Sequence, residues 1–394
     1  INMPKKIKWL FFSTMLFMVG SSLLWPLNAI FMTTVLEKSM LTTGYVLMAY
    51  QGCNLLGNLL GGRFFDRFGG MRTSVFGVGI GIMALAALLV ENGWPFYPIF
   101  LCIIGFGSGL LFPVVSALGV ILWPEGGRKL FNGIYVANNL GIAFGSGLSG
   151  VLADFSFRWV YAGNILFFLL FFLIYLVQFK SYRNMSSKKM SETVLVSRPS
   201  SRELTFFWLL NLGFTICWLA FTQWQATIPP YATEIGISLT EFSLLWSVNG
   251  ILIVIGQPVL SYVIKHWFQT YRRQMLMGIL FFLLGYLCMP SAESFADFLF
   301  AMILFTFAEM FAWPVVPAVA NDIAPKGQIG KYQGIASGVS ACGRMLGPVI
   351  GSGIVAASHI HMMYQIMTIC IVFAFFIVWL AFWIRNRKNE IKPF

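Results

Sequence analysis

Residues 307–319 read Phe-Ala-Glu-Met-Phe-Ala-Trp-Pro-Val-Val-Pro-Ala-Val, and residues 112–118 read Phe-Pro-Val-Val-Ser-Ala-Leu. Set Trp313-Pro314-Val315-Val316 against Phe112-Pro113-Val114-Val115 and the two stretches are copies. At the same spacing Pro124 meets Pro325, and Asn132-Gly133-Ile134 meets Gln333-Gly334-Ile335. The chain is therefore built of two related halves. Glu309 falls opposite Ser108, so the carboxylate belongs to one half only. A charge at a bilayer centre costs roughly 2.5–3.5 kcal/mol on insertion scales, so a carboxylate in this apolar stretch asks for a use.

That Glu309 lies in a membrane follows from composition. The 394 residues are 58% hydrophobic and 10% charged, with mean hydropathy +0.79, whereas soluble domains carry about 25% charge. Apolar runs of about 20 residues, each long enough to cross ~30 Å of hydrocarbon, recur at 7–33, 40–62, 73–91, 96–122, 131–154, 157–180, 204–231, 240–264, 273–291, 295–321, 332–358 and 361–384. The short alternating segments of a β-barrel are not seen. The sequence predicts an all-α membrane protein with twelve transmembrane helices in two pseudo-symmetric six-helix bundles. The bundles occupy 1–180 and 204–394, joined by a polar linker over 181–203. The first apolar run follows Lys5, Lys6 and Lys8 and is too long for a signal peptide, so it reads as the first span.

The net charge of +12 could suggest nucleic acid, but its distribution argues otherwise. With the N-terminus in the cytoplasm, every Lys and Arg except Lys38, Arg158 and Arg344 falls on the inner side. This positive-inside pattern places both termini and the linker in the cytoplasm of a plasma-membrane protein. The six cysteines lie in apolar segments without a CxxC pair, and His359 and His361 have no acid or cysteine beside them, so neither disulfide framework nor metal site is expected. No Gly-x-x-x-x-Gly-Lys-Ser/Thr loop is present for nucleotide hydrolysis, and the chain is not expected to be an enzyme or to need a cofactor.

Between the second and third spans the chain reads Gly62-Arg63-Phe64-Phe65-Asp66-Arg67-Phe68-Gly69-Gly70-Met71-Arg72. This resembles the signature loop of the major facilitator superfamily, carried by Gly62, Asp66, Arg67, Gly69 and Arg72. The resemblance implies a charge relay that latches one conformation of a transporter. The second half keeps a decayed copy, with Lys265 where Asp66 stands in the first. Gly141, Gly145 and Gly150 in the fifth span, and Gly343, Gly347 and Pro348 in the eleventh, look like the antiporter motif of drug exporters of that superfamily. Ser146 replaces its usual proline. Small-residue helix packing explains the same glycines without antiport.

Trp25-Pro26-Leu27-Asn28, Gln223-Trp224-Gln225, Trp246-x-x-Asn249-Gly250, Gln257-Pro258 and Glu309 together resemble drug:proton antiporters of Gram-positive bacteria. Exporters of that group often carry an arginine in the fourth span, where this chain has Leu101. Arg344 is the substitute offered by the sequence, as partner of Glu309 in a proton-and-substrate switch or in a structural ion pair.

Polar residues recur at helical spacing: Asn211, Thr215, Trp218, Thr222 and Gln225 in the seventh span, Ser21, Trp25 and Asn28 in the first, Tyr135 and Asn139 in the fifth, and Thr306 and Trp313 about Glu309. They predict a cavity lined by Trp25, Asn28, Asn139, Asn211, Trp218, Thr222, Gln225, Thr306 and Trp313. The expected function is proton-coupled export of lipophilic, often cationic small molecules by a monomer in the lipid bilayer. The alternatives are an importer of a small polar solute and a lipid flippase on the same scaffold.

Overall fold

A computed structural model describes residues 3–123, 125, 127–180, 199–323 and 329–386. Among them no strand occurs, and twelve helices follow one another when short breaks are counted through. They are α1 (Lys5–Val35), α2 (Met40–Phe68), α3 (Gly70–Val90), α4 (Phe96–Leu122), α5 (Gly127–Phe155), α6 (Phe157–Phe179), α7 (Ser201–Glu234), α8 (Leu239–Trp267), α9 (Tyr271–Ser291), α10 (Phe295–Ala320), α11 (Ile329–Ala357) and α12 (Ile360–Asn386). Eleven are long and apolar enough to cross a membrane. The other, α2, carries Gln51, Asn54 and Asn58 and is less apolar, but its 29 residues reach ~44 Å at 1.5 Å per residue. The expected segments 181–198 and 324–328, and the side chains of Asp66, Arg128 and Lys129, lie outside the described residues.

The helix starts are written locally. Ser39, Ser156 and Thr270 each accept a backbone N–H of the first turn, and Ser200 and Ser294 form reciprocal capping boxes with Glu203 and Asp297. Each cap stabilises its helix by about 1 kcal/mol.

The expected signature loop is not a loop. α2 continues through Gly62 and Arg67 to Phe68, and α3 begins at Gly70. Gly69 makes the whole turn at φ 84°, a backbone angle that favours glycine, while its N–H closes on Phe65 O at 2.9 Å. Gly62 has open space where a side chain would go; the close approach belongs to Gly61, whose methyl would lie 2.6 Å from Leu110 O.

The repeated prolines behave differently in the two halves. Pro113 sits inside α4, which remains one helix. α10 breaks at Trp313-Pro314 and resumes at Val315. The second copy has Pro317 where the first has Ser116. A proline ring clashes with the carbonyl four residues earlier, and for Pro317 that carbonyl belongs to Trp313. One proline is tolerated, and two spaced by a turn open the helix.

By packing, the chain divides into two compact units: Ile1–Met190 with Pro229–Val254, and Ser191–Ile228 with Ile255–Phe394. The stretch 229–254, which the sequence reading assigns to the second bundle, has its close packing with the first unit. Its surface explains this. Gly150 of α5 would drive a methyl to 2.5 Å from Leu239 O, and Gly250 would drive one to 2.6 Å from Asn139 O. Ser146 and Ser149 of α5 hydrogen-bond Ser247 and Ser243 of α8 at 3.3 and 3.2 Å.

Candidate functional site

In the first unit Trp25 and Asn28 sit where α1 leaves regular geometry. Pro26 lies in a 3-10 turn over Trp25–Leu27. The Trp25 indole donates to Ser22 Oγ at 3.2 Å and meets Trp246 edge-on, with centroids 4.6 Å apart. Asn28 is buried and its Oδ1 accepts from the Tyr97 hydroxyl of α4 at 2.8 Å. Asn139 is also buried, its amide donating to Tyr135 O at 2.9 Å within α5.

α5 carries Gly141 and Gly145 onto α1. A methyl at Gly141 would lie 2.5 Å from both Met15 O and Met18 Cβ, and one at Gly145 would lie 2.9 Å from Ser22 Cβ. In the second unit α11 repeats the arrangement against α7. A methyl at Gly343 would lie 2.5 Å from Thr215 O and 2.8 Å from Trp218 Cβ, and one at Gly347 would lie 2.8 Å from Leu219 O. The glycines read as an antiporter motif thus bring a helix against the Trp-bearing helix in each unit. With no water between helices to expel, such close backbone contact is what drives association in a bilayer. Pro348 lies one residue further inside α11.

The second unit holds the main cluster. Trp218 of α7 and Trp313 at the α10 break stack with centroids 4.4 Å apart and planes 17° apart. The Arg344 guanidinium lies over the Trp218 ring at 4.7 Å and donates to Ser340 Oγ at 3.5 Å. Phe214, Phe221 and Phe282 close edge-on or tilted against Trp313, at 5.2, 5.7 and 5.3 Å. Glu309 precedes Trp313 by one turn; its carbonyl accepts the Trp313 N–H at 2.9 Å, and the residue is only 7% exposed. The sequence offered Glu309 as the partner of Arg344. The structure gives Arg344 an aromatic face, which suits a planar, weakly hydrated cation.

Asn211, Thr222 and Thr306 are buried, as their stripe implied, and their side chains bond Phe207 O, Leu219 O and Met302 O at 2.8, 2.9 and 2.7 Å. Among the described residues Asn211 Oδ1 and Trp218 Nε1 have no hydrogen-bond partner, so this face of α7 keeps polar capacity to offer a ligand. Gln225, the last member of the stripe, is half-buried. Its neighbour Gln223, named above only in the run Gln223-Trp224-Gln225, is fully buried and bonds Leu219 O at 3.0 Å, Gly347 O at 2.8 Å and Thr227 Oγ1 at 3.0 Å. α7 breaks at Thr222, so a count at constant helical pitch from Asn211 does not carry past that residue. Gly62, Arg67, Gly69 and Arg72 stand apart from these clusters at the α2–α3 junction.

The match to known proteins covers the whole span of these features. The family model described as Major Facilitator Superfamily matches residues 10–289 and 225–394. A Bacillus subtilis (strain 168) protein described as uncharacterized MFS-type transporter YttB is 42% identical over 356 residues, 90% of this chain and 89% of its own. A Na(+), Li(+), K(+)/H(+) antiporter of Planococcus maritimus is 24% identical over 364 residues, 83% of this chain and 84% of its own. Among solved structures, a POT family transporter in complex with 5-aminolevulinic acid superimposes with TM-score 0.84 at 15% identity, covering 97% of each chain. A peptide transporter POT in complex with sulfate does so with TM-score 0.81 at 15% identity, covering 98% of this chain and 95% of its own.

Proposed function

The chain belongs to the major facilitator superfamily, and from that premise we propose that it exports lipophilic, cationic small molecules in exchange for protons. The observation that carries this reading is Glu309, a buried carboxylate one turn from the stacked Trp218–Trp313 pair. Aromatic faces hold the flat apolar body of a drug-like cation and add cation–π attraction of about 0.5–2 kcal/mol. An ionised Glu309 attracts the cation; a proton arriving on the carboxylate discharges it and releases the ligand. Proton and substrate compete for one group, which is the simplest chemistry of antiport. The antiporter relative from Planococcus maritimus supports coupling to protons, and it extends the substrate panel to alkali cations.

The remaining parts take supporting roles. Asp66, Arg67 and Arg72 act at the α2–α3 junction as the switch between conformations. Arg344, held over Trp218, tunes the field at Glu309 from α11. The positive-inside distribution puts both termini and the linker 181–203 in the cytoplasm, with bundles at 1–180 and 204–394 acting as the moving parts of a monomer in the plasma membrane. Uptake of a small polar solute is the second reading, suggested by the peptide transporters among the solved likenesses. At 15% identity that likeness concerns the fold, and the second unit's site is far more aromatic than a polar solute requires.

The test is transport by purified protein in liposomes with an imposed pH gradient, against fluorescent cationic dyes, Na(+) and K(+), dipeptides, sugars and amino acids. Gradient-driven dye movement opposite to the proton is the expected result. Uptake of dipeptide or sugar without dye movement would replace the proposal with the importer.

A further inference from the structure

A cavity of about 600 Å³ opens in the second unit, between the start of α9 and the end of α12, away from the Trp218–Trp313 cluster. Three guanidiniums line it: Arg272 and Arg273 from the first turn of α9, and Arg385 from the last turn of α12. Among the described residues no carboxylate lines it. Three like charges around one space repel each other, and an anion between them removes that cost. Two of the three are fixed by contacts of their own. Arg385 lies over the Phe206 ring at 4.8 Å, and Arg273 Nη1 donates to Trp267 O at 3.4 Å. The positive end of the α9 dipole adds to the same field.

The cavity is amphipathic. Leu276 and the buried Phe382 give it an apolar side, while the arginines hold the polar one. Its volume is in the range that encloses a drug-sized ligand, well beyond a single ion. It also sits at the ends of two spans, and Trp267 beside it is 65% exposed, the position indoles take at the level of lipid headgroups.

We propose that this pocket binds the phosphate group of an anionic amphiphile, with a phospholipid headgroup as its source. The arginine forks bond the phosphate oxygens, and the glycerol and first methylenes rest on Leu276 and Phe382. A phosphate group could also come from solution, and the experiment separates the two. This inference is independent of the transport reading.

The full-length protein, purified in detergent, is exposed to equimolar phosphatidylglycerol and phosphatidylcholine, and bound lipid is read by native mass spectrometry. The wild type should retain phosphatidylglycerol in preference. Each arginine near a membrane surface contributes on the order of fivefold, so a triple variant Arg272→Gln, Arg273→Gln, Arg385→Gln should lose roughly a hundredfold of that preference. The triple lysine variant should keep most of it. A parallel arm adds inorganic phosphate alone: displacement of the lipid at millimolar phosphate supports the site and assigns it to the soluble ion, and retention supports the lipid. If the glutamine variant is not monodisperse, phenylglyoxal labelling of the wild type replaces it, with vesicles of phosphatidylglycerol expected to protect the three arginines and vesicles of phosphatidylcholine not. Equal retention of both lipids by the wild type, equal preference in wild type and glutamine variant, or equal protection by both vesicles overturns the proposal.

Discussion

Arg344 and Trp218 offer a measurable test of what holds the second unit's cluster together. The perturbation is a double-mutant cycle of Arg344→Met, Trp218→Leu and the pair. The guanidinium lies 4.7 Å from the ring centroid, inside the apolar span Ile335–Ala357, so the cation–π term belongs at the desolvated end of its range, about 2 kcal/mol. Trp218→Leu also loses the stack on Trp313 at 4.4 Å, worth about 1 kcal/mol beyond area, for a total near ~3 kcal/mol. Arg344→Met loses the same ~2 kcal/mol but is relieved of burying a charge, so its net cost is smaller. The coupling should be about 2 kcal/mol, roughly thirtyfold in the unfolding equilibrium. Cys217, buried and next to Trp218, supplies the assay: its alkylation in mixed micelles, followed by mass spectrometry, reports opening of this region. A second cycle of Arg344→Met with Glu309→Gln should show weaker coupling. An Arg344–Trp218 coupling below about 0.3 kcal/mol, with the Arg344–Glu309 coupling above it, would refute the aromatic assignment and restore the ion pair.

Three further outcomes are expected. Glu309→Gln should fold and still bind neutral hydrophobic compounds, yet lose uncoupler-sensitive export of a fluorescent cation from cells; export at the wild-type rate would remove Glu309 from coupling. Asp66→Asn should express normally and transport poorly, measured as initial rate per molecule in liposomes. Gly69→Ala should lower stability by roughly 1–3 kcal/mol, because φ 84° with ψ 159° is a region that almost only glycine enters, and thermal unfolding in micelles will show it.

The twelve helices and the two-copy pattern were legible because hydropathy and repeat spacing are properties of the chain itself. Most helix starts lie within a few residues of the apolar runs for the same reason. Four things were not legible. The turn at Gly69 looked like a loop because charged residues suggest one, whereas Arg63 and Arg67 ride on a continuous helix end. The full burial of Gln223 was not readable because the break at Thr222 resets the helical phase. The contact of Arg344 with Trp218 was not readable either, because the face of an indole does not announce itself as an electrostatic partner. The packing of 229–254 with the first unit rests on serine and glycine contacts between distant segments, which no local pattern encodes.

Duplication gave this chain two versions of one helix, and α4 and α10 have since taken different mechanical parts. α4, with Pro113 as its one interior proline, stays a single helix. α10, with Pro314 and Pro317 a turn apart, has a joint at Trp313-Pro314, and its buried acid, Glu309, lies a turn before that joint. Two prolines remove two N–H groups from the ladder there. A change of charge on Glu309 therefore acts on the part of the helix with least internal bracing. The same change placed at Ser108 would push against a ladder that is closed apart from one rung. On the exchange proposed for Glu309, the two halves would divide their labour, one copy keeping the frame stiff while the other is able to yield beside its acid.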